Sequence, residues 1–255
     1  MFTGVGEWMN RKFEEVGDIT VLFARTFYYT LRFKFSFSDV FAQMVAVGVD
    51  SIGVASVTAA FVGMVFAVQI ANEFVKFGAG SVVGGVMSIA VARELAPALT
   101  AVVLAARVGA AIAAELGTMT VTEQVDALYA MGSSPIKHLV VPRFIACTFM
   151  LPILTIFADL IGFVGGYLVA VFLVGINPTG YVDSANSLLS LSDITGGIIK
   201  AVFFGMIIAI VGCYMGLRTK GGAKGVGEST TGSVVTSLLS IFVVNYFLSL
   251  ILFKR

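Results

Sequence analysis

Long uncharged apolar runs alternate along this chain with short polar segments. Residues 51–72 carry no charge between Asp50 and Glu73, and a helix rising 1.5 Å per residue needs about 20 such residues to cross a bilayer. A second run lies between Glu94 and Glu115, interrupted by Arg107. A third covers 144–176 with Asp159 inside it, a fourth 194–217 with Lys200, and a fifth 229–253. The pattern predicts an all-α integral membrane protein with five transmembrane helices. The Gly-rich stretch 77–92 reads equally as a re-entrant hairpin, the start of a long second helix, or a sixth span.

Residues 1–38 follow another pattern. Trp8, Phe13, Val16, Thr20, Phe23 and Phe27 recur at roughly helical spacing, with Arg11, Lys12, Glu15, Asp18 and Arg25 mostly elsewhere around the helix. Charges interrupt it too often for a crossing, so it is expected to lie in the interface as an amphipathic helix, anchored by its aromatics, Arg32 and Lys34. Residues 39–255 then form the five-span domain. Within it, about 120–131, a second short helix is expected: Thr120 and Glu123 fit a capping box, Val121, Val125 and Leu128 take one side, Glu123 and Asp126 another, and Gly132 with Pro135 ends it.

Composition agrees with a membrane protein. Of 255 residues 58% are hydrophobic and 12% charged, with a mean hydropathy of +0.99. The net charge of +1 is spread over loops, which argues against a nucleic-acid partner. Cys147 and Cys213 sit in apolar runs and suggest neither a disulfide nor a metal site. No early apolar segment resembles a cleaved signal peptide, so the chain is expected to keep its own N-terminus. Lys137, Arg143, Arg218, Lys220 and Lys224 fall in the second and fourth linkers, whereas 177–193 holds Asp183 and Asp193 and no base. With the positive-inside rule this puts the N-terminus in the cytoplasm and the C-terminus outside, although Lys254 and Arg255 vote the other way.

The candidate chemistry lies in charges that the membrane must pair or hydrate. On a straight helix, Arg93 and Arg107 would stand about 40° apart around the axis and roughly 21 Å along it, sharing a face. Arg107, Glu115 and Asp159 read as structural ion pairs or as cavity groups, and Arg93, Glu94 and Lys200 as the polar lining of a translocation cavity. Pro97 removes a backbone donor one turn after Glu94. Small residues at Ala101, Ala105, Gly109, Ala113 and Gly117, at Gly162 and Gly166, and at Gly197, Ala201, Gly205 and Ala209 suit close helix packing in a bundle or an oligomer. KGGAKGVGES at 220–229 lacks the G-K-[ST] ending of a phosphate-binding loop, and no hydrolase or metal-ligand spacing is found. No catalytic residue, metal or cofactor is therefore assigned to this chain.

The run ARELAPALTAVVLAARVGAAIAAELGTM from Ala92, continuing into TEQVDAL, the GSSP turn and VVPR, resembles the MlaE (YrbE) family, the permeases of MCE-associated lipid ABC transporters; GVGESTTGSVV at 225–235 fits as well. The resemblance implies a homodimer moving phospholipid between the bacterial inner membrane and a periplasmic MCE-protein hexamer for outer-membrane lipid homeostasis. It also implies a cytoplasmic ATPase dimer that binds the ATP and Mg, and often a STAS-domain subunit. It would place Arg93, Glu94 and Lys200 at the lipid cavity, and Glu123, Gln124 and Asp126, with Leu128, on a coupling helix seated in the ATPase. Val65, Val68 and Gln69 are expected to line the cavity from the first span. The rival expectations are a stand-alone ion-coupled secondary transporter or channel using Glu94, Asp159 and Lys200, and a non-transporting scaffold.

Overall fold

The computed structural model describes residues 2–32 and 35–254, and side chains from Phe13 onward; Lys34, Arg255 and the side chains of Trp8, Arg11 and Lys12 lie outside the described residues. These residues form helices and no strand. The first helix, α1, spans Phe2–Leu31. Five helices long and apolar enough to cross a membrane follow: α2 (Phe37–Lys76), α3 (Gly80–Val121), α5 (Ile136–Leu173), α7 (Leu191–Leu217) and α8 (Gly222–Leu252). Two short helices fill linkers, α4 (Gln124–Ala130) between α3 and α5 and α6 (Pro178–Leu188) between α5 and α7.

The segment 77–92 resolves to the start of a long second helix. Gly78 turns the chain at φ 69°, a 3-10 turn follows at Gly80–Val82, and the helix then runs through Arg93 to Val121. At 1.5 Å per residue its length is about 60 Å, twice the hydrocarbon thickness, so it tilts or extends beyond the bilayer. Two departures concern the linkers. Residues 177–193, read as a loop, contain α6, whose Tyr181 is fully buried against α3 and α5. The fourth linker shrinks because α8 begins at Gly222, after the left-handed Gly221.

The core lies along α5 and α7. Leu151, Leu154, Phe204, Ile208 and Cys213 are buried there with Leu104 and Leu116 of α3. Ala101, Ala105 and Ala113, and Ala201 and Ala209, are fully buried, so the small-residue seams face into the bundle. Backbones touch where glycines permit it: a Cβ on Gly63 would collide with the Gly162 backbone, and one on Gly197 with the carbonyl of Ala92. On the flanks, α2 exposes Val57, Phe61 and Val65, and α8 exposes Leu239, Phe242, Phe247 and Ile251. Such surfaces suit lipid tails or another apolar surface.

Candidate functional site

Pro97 explains how the charged centre is built. Lacking an N–H, it cannot bond the carbonyl of Arg93 four residues earlier, and the helix widens into a π-turn over Val91–Leu95. The released carbonyl is taken by Lys200 of α7, whose Nζ lies 2.9 Å from Arg93 O. The same ammonium reaches Glu94 Oε1 at 2.6 Å and Ser249 Oγ of α8 at 2.7 Å. Three protons thus meet three acceptors in a fully buried side chain, and none is left over. The other oxygen of Glu94 accepts from Asn245 Nδ2 at 3.0 Å.

Arg93 itself turns to Asp193 near the start of α7, with Nε and Nη2 2.8 and 2.7 Å from Oδ1. Asp193 is 1% exposed. Its second oxygen accepts from the backbone N–H of Ser190 at 2.9 Å, closing a capping box. The Phe253 ring covers both cations, 4.7 Å from Arg93 Cζ and 5.0 Å from Lys200 Nζ. Two positive and two negative groups therefore balance. The side chain of Lys200 is sealed, whereas Glu94 is 43% exposed and presents the open face of the cluster.

Sequence reasoning named Arg93, Glu94 and Lys200 but missed Asp193, Asn245, Ser249 and Phe253. A signal existed for two of these, because Asn245 and Ser249 are polar residues spaced i,i+4 in an apolar helix. Val65, Val68 and Gln69 do not join the cluster: they lie exposed on α2. The α2 residues that meet the core are Ala55, Ala59, Gly63 and Ala67, where small side chains admit α5.

Arg93 and Arg107 also part company. A second π-turn, Ala105–Gly109, holds Arg107, and the two bulges break the straight-helix register that would align them. Arg93 faces α7, while Arg107 Nη1 turns to α2, 2.5 Å from Ser51 Oγ and 3.4 Å from Ala46 O. Glu115 pairs with the buried Arg143 of α5 at 2.7 Å. Asp159 forms no ion pair among the described residues, contrary to its reading as a structural pair; its Oδ1 is buried without a hydrogen-bond partner.

The short helix after α3 is smaller than expected. Thr120 does not cap it: its hydroxyl bonds back to Leu116 O at 2.8 Å and lies 3.2 Å from Gly216 O, which keeps it in α3. Glu123 takes the cap position instead, in the left-handed region at φ 61°, and its side chain makes no cap bond. Helix α4 then covers Gln124–Ala130 and ends at Gly132, φ 71°. Val125 is buried and Leu128 half-buried, while Glu123, Gln124 and Asp126 are exposed. Tyr129 and Met131 stand 61% and 72% exposed beside them.

The family model described as Permease MlaE matches residues 40–251. A protein of Synechocystis named a probable ABC transporter permease is 51% identical over 233 residues, covering 91% of this chain and 89% of its own length. One so named from Rickettsia typhi is 43% identical over 217 residues, covering 85% and 84%. The chloroplast protein TRIGALACTOSYLDIACYLGLYCEROL 1 of Arabidopsis thaliana is 42% identical over 224 residues, covering 88% of this chain and 64% of its own length. The matched residues run from the first span through the last, with the charged cluster and α4 inside them, and the chain belongs to the MlaE permease family.

Proposed function

We propose that this chain is the membrane permease subunit of an ABC transporter that moves phospholipid between the bacterial inner membrane and a periplasmic MCE protein, serving outer-membrane lipid homeostasis. The observation that carries the reading is the continuity of α3, one helix with Glu94 in its first half and the exposed α4 segment joined at its C-terminal end. A push on α4 enters α3 across the tight turn at Glu123 and then reaches the charged cluster along a single helix. The relatives named as ABC transporter permeases support the transporter class, and the one named for a galactolipid supports a lipid substrate.

In this reading two copies assemble, each with its N-terminus in the cytoplasm, its C-terminus outside and α1 lying in the interface. A partner ATPase dimer binds ATP and Mg and seats Glu123, Gln124 and Asp126. An MCE hexamer, with a STAS-domain subunit in the fuller assembly, completes the machine. The apolar faces of α2 and α8 flank the cavity, and Glu94 meets the headgroup from its exposed side. Lys200, with every proton engaged, acts by holding Glu94; a headgroup phosphate reaches it only after Glu94 moves aside. Exposing acyl chains to water costs ~0.8 kcal/mol per methylene, so the path must keep them covered and extraction from the bilayer must be driven.

The test is reconstitution of the complex with labelled phospholipid, with and without ATP. ATP-dependent transfer is expected, and transfer driven by an ion gradient without a partner would establish the secondary-transporter reading instead. The double variant E123K/D126K is expected to lose co-purification with the ATPase; full lipid-stimulated ATPase activity in that variant would overturn the docking role.

A further inference from the structure

A cavity of about 280 Å³ opens between α3, α5 and α6, lined by Ser88, Asp159, Leu160, Phe163, Asn186 and Leu189 among others. Asp159 on its wall makes no ion pair among the described residues, and its Oδ1, buried beneath that wall, accepts no hydrogen bond there. In a membrane helix an acid without an ion-pair partner usually marks a functional site. The volume is about nine times that of one water, so a single bridging water does not fill it. Most of the wall is apolar, which disfavours a chain of waters.

From the mouth of this cavity an apolar stripe runs along α5. Ile156 and Leu160, both on its wall, continue into Ile153 and Val164, all between 41% and 61% exposed. Helical spacing sets these on one side of α5. A polar pocket continuous with an exposed apolar track matches an amphiphile, its headgroup inside and one chain along the stripe.

We infer that this cavity is a lipid-headgroup site, distinct from the Glu94–Lys200 cluster, selective for headgroups that donate hydrogen bonds. Asp159 accepts from an ammonium or a sugar hydroxyl, Asn186 adds an amide at the rim, and Ser88, whose hydroxyl donates to Gly85 O at 3.0 Å, keeps its oxygen free as an acceptor. A quaternary choline offers no such proton. The inference uses the membrane setting alone, and its test needs neither ATP nor a partner, so its failure leaves the transport reading standing.

The full-length chain in mixed micelles is offered equal amounts of phosphatidylethanolamine, monoglucosyldiacylglycerol and phosphatidylcholine with matched chains, and native mass spectrometry counts the lipids retained. The wild type is expected to retain one or both donor-headed lipids about tenfold over the choline lipid, as a charge-assisted hydrogen bond allows. Preference for the ammonium lipid alone assigns a cationic headgroup, and preference for the glucosyl lipid a hydroxyl one. D159L is expected to abolish the preference. If D159L misfolds, D159N keeps the shape without the charge, and either the ammonium preference falls or N186A narrows the hydroxyl preference. Equal retention of all three lipids by the wild type, or an unchanged preference in the soluble Asp159 variant and in N186A, overturns the site.

Discussion

The first half of α3 and the turn beyond its C-terminus solve opposite problems with the same residue types. Near Arg93 and Glu94, charges are drawn into the bundle and satisfied: Lys200 spends three protons on three acceptors, and Asp193 is shared between Arg93 and a helix cap. Near Glu123, the carboxylates stand exposed, and the backbone is held in a conformation that side chains seldom adopt. Buried charge that is fully paired fixes geometry, whereas exposed charge on a strained joint remains available to a partner. The first region is therefore expected to govern stability and the second activity, and substitutions can separate them.

The largest stability effect is expected from Lys200→Met. It strips Glu94 of its cation and orphans the Arg93 carbonyl that Pro97 has freed, and breaking a buried pair from one side costs about 3–5 kcal/mol. Because Glu94 is 43% exposed, solvent softens its loss, and the low end of that range is expected in denaturant unfolding of the detergent-solubilised protein. K200M/E94Q should recover part of the loss; no recovery would mean that the carbonyl and Ser249 contacts, not the ion pair, dominate. Asp193→Ala comes next. It removes the partner of Arg93 together with the α7 cap, a cap being worth ~1 kcal/mol, and Asp193→Asn should retain more stability because it keeps an acceptor for the Ser190 N–H.

Much of this contrast could be read from the sequence. Span number followed from uncharged length, because a bilayer leaves few alternatives for 20 apolar residues. Arg93, Glu94 and Lys200 stood out because charge is rare in such runs. Their partners were harder to name: Asp193 belongs to a stretch that reads as loop, and the i,i+4 pair Asn245 and Ser249 marks a polar side of the last span without saying which helix it meets. The π-turns were equally hidden: Pro97 announces a missing donor but not where the helix widens, and no residue announces the second π-turn at Ala105–Gly109 that carries Arg107. Thr120 misled because Thr–x–x–Glu fits a capping box in any chain, and only the contact with Gly216 keeps that turn within α3.

At the Glu123 turn the expected stability changes are small and the functional ones large. E123K/D126K should shift unfolding by no more than about 0.5 kcal/mol, as for exposed positions generally, while abolishing association with the ATPase. A stability loss as great as that of K200M would erase the distinction between the two regions.

The smallest effect is the most discriminating. Glycine adopts positive φ without the penalty that a side chain incurs, so Glu123→Gly should relieve strain of about 1 kcal/mol at the joint and leave the protein equally or more stable. It also loosens the link between α3 and α4. If the left-handed cap serves only to turn the chain, glycine should preserve ATP-driven transfer, apart from the loss of one exposed carboxylate, which Glu123→Gln measures separately. If the joint transmits force, E123G should bind the ATPase yet transfer lipid more slowly per ATP hydrolysed than E123Q. Equal coupling ratios in the two variants would show that α4 docks without driving α3, and the continuity of that helix would then be structural only.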